Sequence, residues 1–142
     1  MFGDEPILGY KEIRIDSKGR IFIPKFTGVE VGDKISIIEN GYGSLKLYNL
    51  LYMQSIINDL NKRCNSQDMQ RIQLLNDRLQ LLYYSYLATN SIDSQKRLNV
   101  PDQILREYGF KDKVYMQGCG TNLVIHNSKE SYDAYVKKLR AK

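Results

Sequence analysis

Apolar and polar residues alternate in two short runs near the start of the chain, with Ile13 and Ile15 in the first and Ile21 and Ile23 in the second. A repeat of two predicts strands with one buried face. Leu98 and Val100 carry the same alternation later on. Pro24 and Pro101 follow these runs, where a missing backbone N–H ends a strand and fits the first turn of a helix. After Pro101, the segment DQILREYG puts Ile104, Leu105 and Tyr108 on one side of a helix that stops at Gly109. After Pro24, KFTGVEVGD is shorter and poorer in helix formers, which predicts a single turn. Glycine-rich ENGYGS at 39–44 and QGCGTN at 117–122 predict hairpin turns. The period then changes. Residues 51–87 read as helical, with Met69, Ile72, Leu75, Leu79 and Leu82 at three- and four-residue spacing. Asn65-Ser66-Gln67-Asp68 interrupts this run and offers an N-cap, so a helical hairpin is expected there and one more helix at the end. The apolar stripe fits core or a subunit interface.

These elements are written twice. RIDSKGRIFIP (14–24) returns as SIDSQKRLNVP (91–101), with Ile, Asp, Ser, Arg and Pro at matching places. Gly32-Asp33-Lys34-Ile35 lines up with Lys111-Asp112-Lys113-Val114, and LKLYN (45–49) with LVIHN (123–127). Met53, Ile56, Ile57 and Leu60 match Tyr132, Tyr135, Val136 and Leu139 at one helical spacing. A duplication therefore spans most of the chain. It divides the sequence into a first repeat at 1–60, a connecting helix at 61–83 and a second repeat at 84–142.

The shared segment has the form Asp-x-x-x-Arg, three residues, Pro. Asp16-Ser17-Lys18-Gly19 suits a tight turn, since Asp binds backbone N–H groups and Gly is favoured at the fourth position. Such a turn pushes Lys18 and Arg20 outward. An exposed Asp–Arg pair is worth only about 0–1 kcal/mol, a weak reason to write it twice. An Asp that organises the loop can also aim the arginine. Ser17 is a turn residue, with no histidine near it in sequence and no nucleophile elbow.

Composition narrows the function classes. Hydrophobic residues make up 42% and charged residues 26% of 142, as in a soluble globular protein. No run approaches the roughly 18 apolar residues of a membrane span, and MFGDEPILGYKE does not read as a signal peptide. The expectation is a cytoplasmic protein with no membrane partner. Cys64 and Cys119 stand in unrelated contexts and read as free thiols; with His126 the one histidine, neither a disulfide framework nor a metal site is expected. The net charge is +5, and residues 91–142 hold ten basic residues against six acidic ones. Lys11–Lys25 alone has five basic residues and two acidic, which permits a polyanionic partner. No cluster has the spacing of a metal site, a triad or a phosphate loop, so no enzyme, no cofactor and no small-molecule substrate are expected.

DSKGRIFIP, preceded by an MFGDEP-type start and duplicated as DSQKRLNVP, resembles the MraZ family, the tandem form of the AbrB/SpoVT/MazE swapped-hairpin DNA-binding fold. The resemblance covers nearly the whole chain. It implies an α+β fold in which two tandem SpoVT-AbrB-type β-α-β-β units interleave into one pseudo-twofold β-barrel, joined by a helical hairpin. A unit of roughly 55 residues is marginal alone, so shared burial is physically sensible. The resemblance further implies a nucleoid-associated transcriptional regulator that forms ring-like homo-oligomers. It would bind direct repeats in double-stranded promoter DNA upstream of the division and cell-wall gene cluster, its own promoter included. Carried over residue by residue, the DNA-binding set is Arg14, Lys18, Arg20, Lys96 and Arg97. Asp16, Gly19 and Asp93 organise the loops. The second loop departs from the pattern at Gln95 and Lys96, where Lys-Gly is favoured, which predicts a turn less free to take positive φ. Arg20 could lie bidentate on guanine or on a phosphate, with Lys18 and Arg14 on phosphates. Most tyrosines read as packing, leaving Tyr10 and Tyr42 as loop candidates for contacts.

A competing reading is an AbrB- or MazE-like protein-interaction module, such as an antitoxin. Those proteins usually carry one copy and an extended tail, whereas SYDAYVKKLRAK is helical and basic.

Overall fold

The two-residue alternation does build strands, and the isoleucines and leucines of both repeats meet in one core. The structure, a computed structural model, describes residues 5–63 and 68–141. The first half runs β1 (Ile7–Arg14), β2 (Arg20–Phe22), a single 3-10 turn (Lys25–Thr27), β3 (Lys34–Gly41), β4 (Ser44–Asn49) and α1 (Leu50–Arg63). Next come α2 (Met69–Ser85), β5 (Tyr86–Ser91), β6 (Arg97–Asn99) and α3 (Asp102–Glu107). The last elements are β7 (Lys113–Gly120), β8 (Leu123–His126) and α4 (Lys129–Arg140). The fold is α+β. Six strands form an antiparallel sheet in the order β1-β7-β8-β4-β3-β5, while β2 and β6 pair as a separate antiparallel ribbon.

The strand registers carry the duplication into three dimensions. Arg14 pairs with Lys113 and Ile13 with Val114 across β1 and β7; their repeat counterparts Ser91 with Lys34 and Asn90 with Ile35 pair across β5 and β3. Thus the first strand of each repeat lies against the hairpin of the other. Where β4 meets β8, Leu45 faces Ile125 and Leu47 faces Leu123, a reciprocal exchange about Lys46 and Val124. Ile21, Ile37, Leu45, Leu47, Leu98, Val114, Met116 and Ile125 are all fully buried in the shared core.

Two expectations change. Among the described residues β1 pairs in the sheet only with β7 and β5 only with β3, so the sheet stays open and is not closed into a barrel. The strands that could bridge its edges, β2 and β6, are three residues long and pair with each other. Secondly, the helical stretch does not reach residue 87: α2 stops at Ser85, and Tyr86–Ser91 is a strand. Its six residues lack a clean alternation, and pairing with β3 decides their state. The expected N-cap is present: it is Asp68, whose carboxylate accepts the N–H groups of Gln70 and Arg71, while residues 65–67 and Cys64 lie outside the described residues. Leu75 and Leu79 of the stripe are buried, Ile72 and Leu82 half-buried, and Met69 is exposed.

Helix α4 packs its tyrosines on β8. His126 is 1% exposed there, with Tyr132 edge-on at 5.3 Å and Tyr135 at 5.5 Å between centroids. Its Nδ1 has no hydrogen-bond partner among the described residues, and burial pulls the imidazole pKa down from 6.5 to about 4. The unfolded chain therefore takes up this proton more readily than the folded one. Stability contributed by neutral His126 is complete above about pH 6.5 and is lost as the pH falls toward 4. The expected loss is about 2 kcal/mol, read as denaturation midpoints between pH 7.5 and 4.5. His126→Phe should flatten that part of the profile.

Candidate nucleic-acid interface

Both Asp-x-x-x-Arg segments fold into the same closed turn. Asp16 Oδ1 accepts the backbone N–H groups of Lys18 and Arg20, each at 2.9 Å, and Oδ2 accepts Arg20 Nε at 2.7 Å. In the second copy Asp93 Oδ1 accepts the N–H groups of Gln95 and Arg97 at 2.9 Å, and Oδ2 accepts Arg97 Nε at 2.9 Å. The four-residue spacing is what lets one carboxylate close the turn and hold the arginine that follows it. The bond is to Nε, and among the described residues the terminal amino groups of neither guanidinium make a hydrogen bond.

These bonds also fix the charges. Hydrogen bonding from the Arg20 backbone N–H outweighs partial desolvation and, with the Arg20 guanidinium and the Lys18 N–H, holds the Asp16 carboxyl below its ordinary range. At Asp93 desolvation pushes upward, but bonds from the Arg97 backbone and side chain and from the Gln95 N–H outweigh it, again lowering the pKa. Both turns therefore keep their ion pairs at neutral pH.

Each turn leads into one strand of the ribbon, and each is stitched to the other repeat. Gly19 O accepts Val100 N–H, and Lys96 O accepts Ile23 N–H, both at 2.9 Å. In the ribbon Arg20 pairs with Asn99, Ile21 with Leu98 and Phe22 with Arg97. Ile21 and Leu98 are 0% exposed and point into the core. Alternation then turns Arg20, Phe22, Arg97 and Asn99 to the outer face. The structure thus brings together the two arginines singled out in the sequence, one from each repeat. Phe22 and Asn99 escaped sequence reasoning. The signal was present, since each follows a buried strand residue by one and the two are counterparts in the duplication.

Of the other expected residues, Lys18 is exposed at the tip of its turn, and Asp16, Gly19 and Asp93 organise the turns. Arg14 is exposed at the end of β1, outside the ribbon and in register with Lys113. Lys96 occupies the place of Gly19. The expected departure of the second turn does not occur: Lys96 takes φ +63° where Gly19 takes +80°. A left-handed conformation costs a side-chain-bearing residue about 1–2 kcal/mol. Lys96→Gly is accordingly expected to stabilise the fold by about 0.5–1 kcal/mol after the added flexibility of the unfolded chain, measurable by urea denaturation. Tyr10 and Tyr42 each lay one side of the ring against α4 and stay 38% and 55% exposed. Tyr10 packs on Tyr132 at 4.8 Å and Tyr42 on Tyr135 at 5.7 Å, and Lys138 caps the Tyr42 ring at 4.0 Å. They dock α4.

Among the described residues no cluster of His, Cys, Asp or Glu could hold a metal ion, and no helix is long and apolar enough to cross a membrane. No protein-family model matches the chain, and no curated protein matches it either. Two forked cations on the outer face of the ribbon can bind phosphate oxygens or the acceptor edge of guanine.

Proposed function

We propose that the protein is a sequence-specific, duplex-DNA-binding transcriptional regulator of the MraZ type. One observation carries the reading: Arg20 and Arg97, each held by its own aspartate, stand on the outer face of one two-stranded ribbon. The major groove of B-DNA is about 12 Å wide and admits a two-stranded ribbon, where an arginine fork reads guanine O6 and N7. Lys18 and Lys96 at the two turns suit the flanking phosphates. The reciprocal pairing of each repeat's first strand with the other's hairpin supports two interleaved SpoVT-AbrB-like units, as swapped hairpins require.

In this reading the protein acts on direct repeats upstream of the division and cell-wall gene cluster, including its own promoter, as a nucleoid-associated ring. The apolar load on α2 favours self-association: Met69 is 75% exposed, Leu74 54% and Leu81 68%. Light scattering at micromolar concentration is expected to give a species larger than a dimer, and a strict monomer overturns the ring. Titrating the protein into duplexes with one and three direct repeats tests DNA binding itself. Affinity should rise steeply with repeat number, because the second contact is intramolecular, and should fall linearly in log–log form with salt. Equal affinity for one repeat and three removes the avidity argument, and no binding at low salt removes the regulator.

A further inference from the structure

The ribbon is symmetric except at one pair of positions. The duplication relates Arg20 to Arg97 and Ile21 to Leu98, both conservatively, but it relates Phe22 to Asn99. The register sets Arg20 beside Asn99 at one end and Arg97 beside Phe22 at the other. Residues two apart on a strand are about 7 Å apart, and adjacent strands about 5 Å. The two ends of this outer face are therefore separated by about two base-pair steps of 3.4 Å. Neither odd residue has a packing reason to be there. Phe22 is 52% exposed and belongs to no apolar cluster, and the Asn99 side chain makes no hydrogen bond among the described residues, its backbone carbonyl accepting from Asn90.

We propose that Phe22 and Asn99 are specificity-determining residues that give the ribbon a direction on DNA. This rests on the DNA-binding reading above and deepens it. The amide of Asn99 fits adenine N6 and N7, and an exposed phenyl ring fits the thymine 5-methyl group. One end of the ribbon reads guanine next to adenine through Arg20 and Asn99. The other end reads guanine next to thymine through Arg97 and Phe22. A dyad-symmetric ribbon would prefer a palindromic core, whereas this one prefers a core with two different ends. Its subunits then line up in one sense on successive repeats.

The test is selection from a random duplex library by the full-length wild type, Phe22→Asn and Asn99→Ala proteins, with affinity for bulk duplex measured in parallel. Both side chains are on the surface, and thermal melting checks that the variants are folded. Wild type should select a non-palindromic core. Phe22→Asn should lose on the order of tenfold on that core and shift toward a core with two like ends, and Asn99→Ala should relax one adenine position by a similar factor. A palindromic wild-type core, or folded variants that select the wild-type core unchanged, overturns the inference while leaving DNA binding intact. Failure of the wild type to bind any duplex overturns the DNA-binding reading and this inference with it.

Discussion

Leu98→Ala is expected to destabilise the protein by about 3–4 kcal/mol and to weaken DNA binding beyond what the loss of folded protein explains. Leu98 is 0% exposed, faces Ile21 at the centre of the ribbon, and packs the ribbon onto the core. Truncating a buried leucine removes its transfer free energy and leaves a cavity, together about 2–5 kcal/mol. The middle of that range applies here, because Leu98 is fully buried in the shared core. Both turns are tied to this ribbon through the Gly19–Val100 and Lys96–Ile23 bonds. Slackening it therefore disturbs the aim of both arginines at once. Leu47→Ala supplies the comparison, since Leu47 is equally buried but lies in β4 against Leu123. The two variants should show similar losses in urea denaturation. At a temperature where both remain folded, only Leu98→Ala should bind DNA poorly.

The duplication makes much of the order of elements legible in the sequence. Proline, glycine and period-2 signals are local, and they placed β2, β6, the 3-10 turn, α3 and both hairpins correctly. Asp16 and Asp93 were readable for the same reason, because an Asx-type turn is closed by atoms within four residues. What failed was set by distant partners. Tyr86–Ser91 becomes a strand because the edge of β3 is available to it, a fact no window around residue 88 contains. The open sheet likewise follows from which strands find partners. Lys96 shows the converse. Its propensity argued against a left-handed turn, yet three hydrogen bonds to the Asp93 carboxylate and the stitch to Ile23 impose the geometry that Gly19 adopts freely.

That shared geometry determines what the arginines should do when removed. Arg20→Ala is expected to cost about 1–3 kcal/mol of binding per site, or roughly fivefold to a hundredfold or more in affinity. Arg97→Ala should cost about the same, since Arg97 is 25% exposed against 27% for Arg20 and is held by an equivalent aspartate. If each fork reads a base, the loss falls on the specific site and the preference over scrambled DNA flattens. If it touches only phosphate, affinity drops on every sequence and the log–log salt slope shrinks by about 0.9 per lost contact. Arg20→Lys separates these outcomes further, because lysine keeps the charge and gives up the planar fork. A base-reading Arg20 should not be rescued by lysine, whereas a phosphate-binding one largely should. The double Arg20→Ala, Arg97→Ala protein should retain its thermal melt and its assembly state while losing its preference at both guanine positions. An unchanged preference for guanine at those positions in that folded double variant would remove the two arginines from base reading.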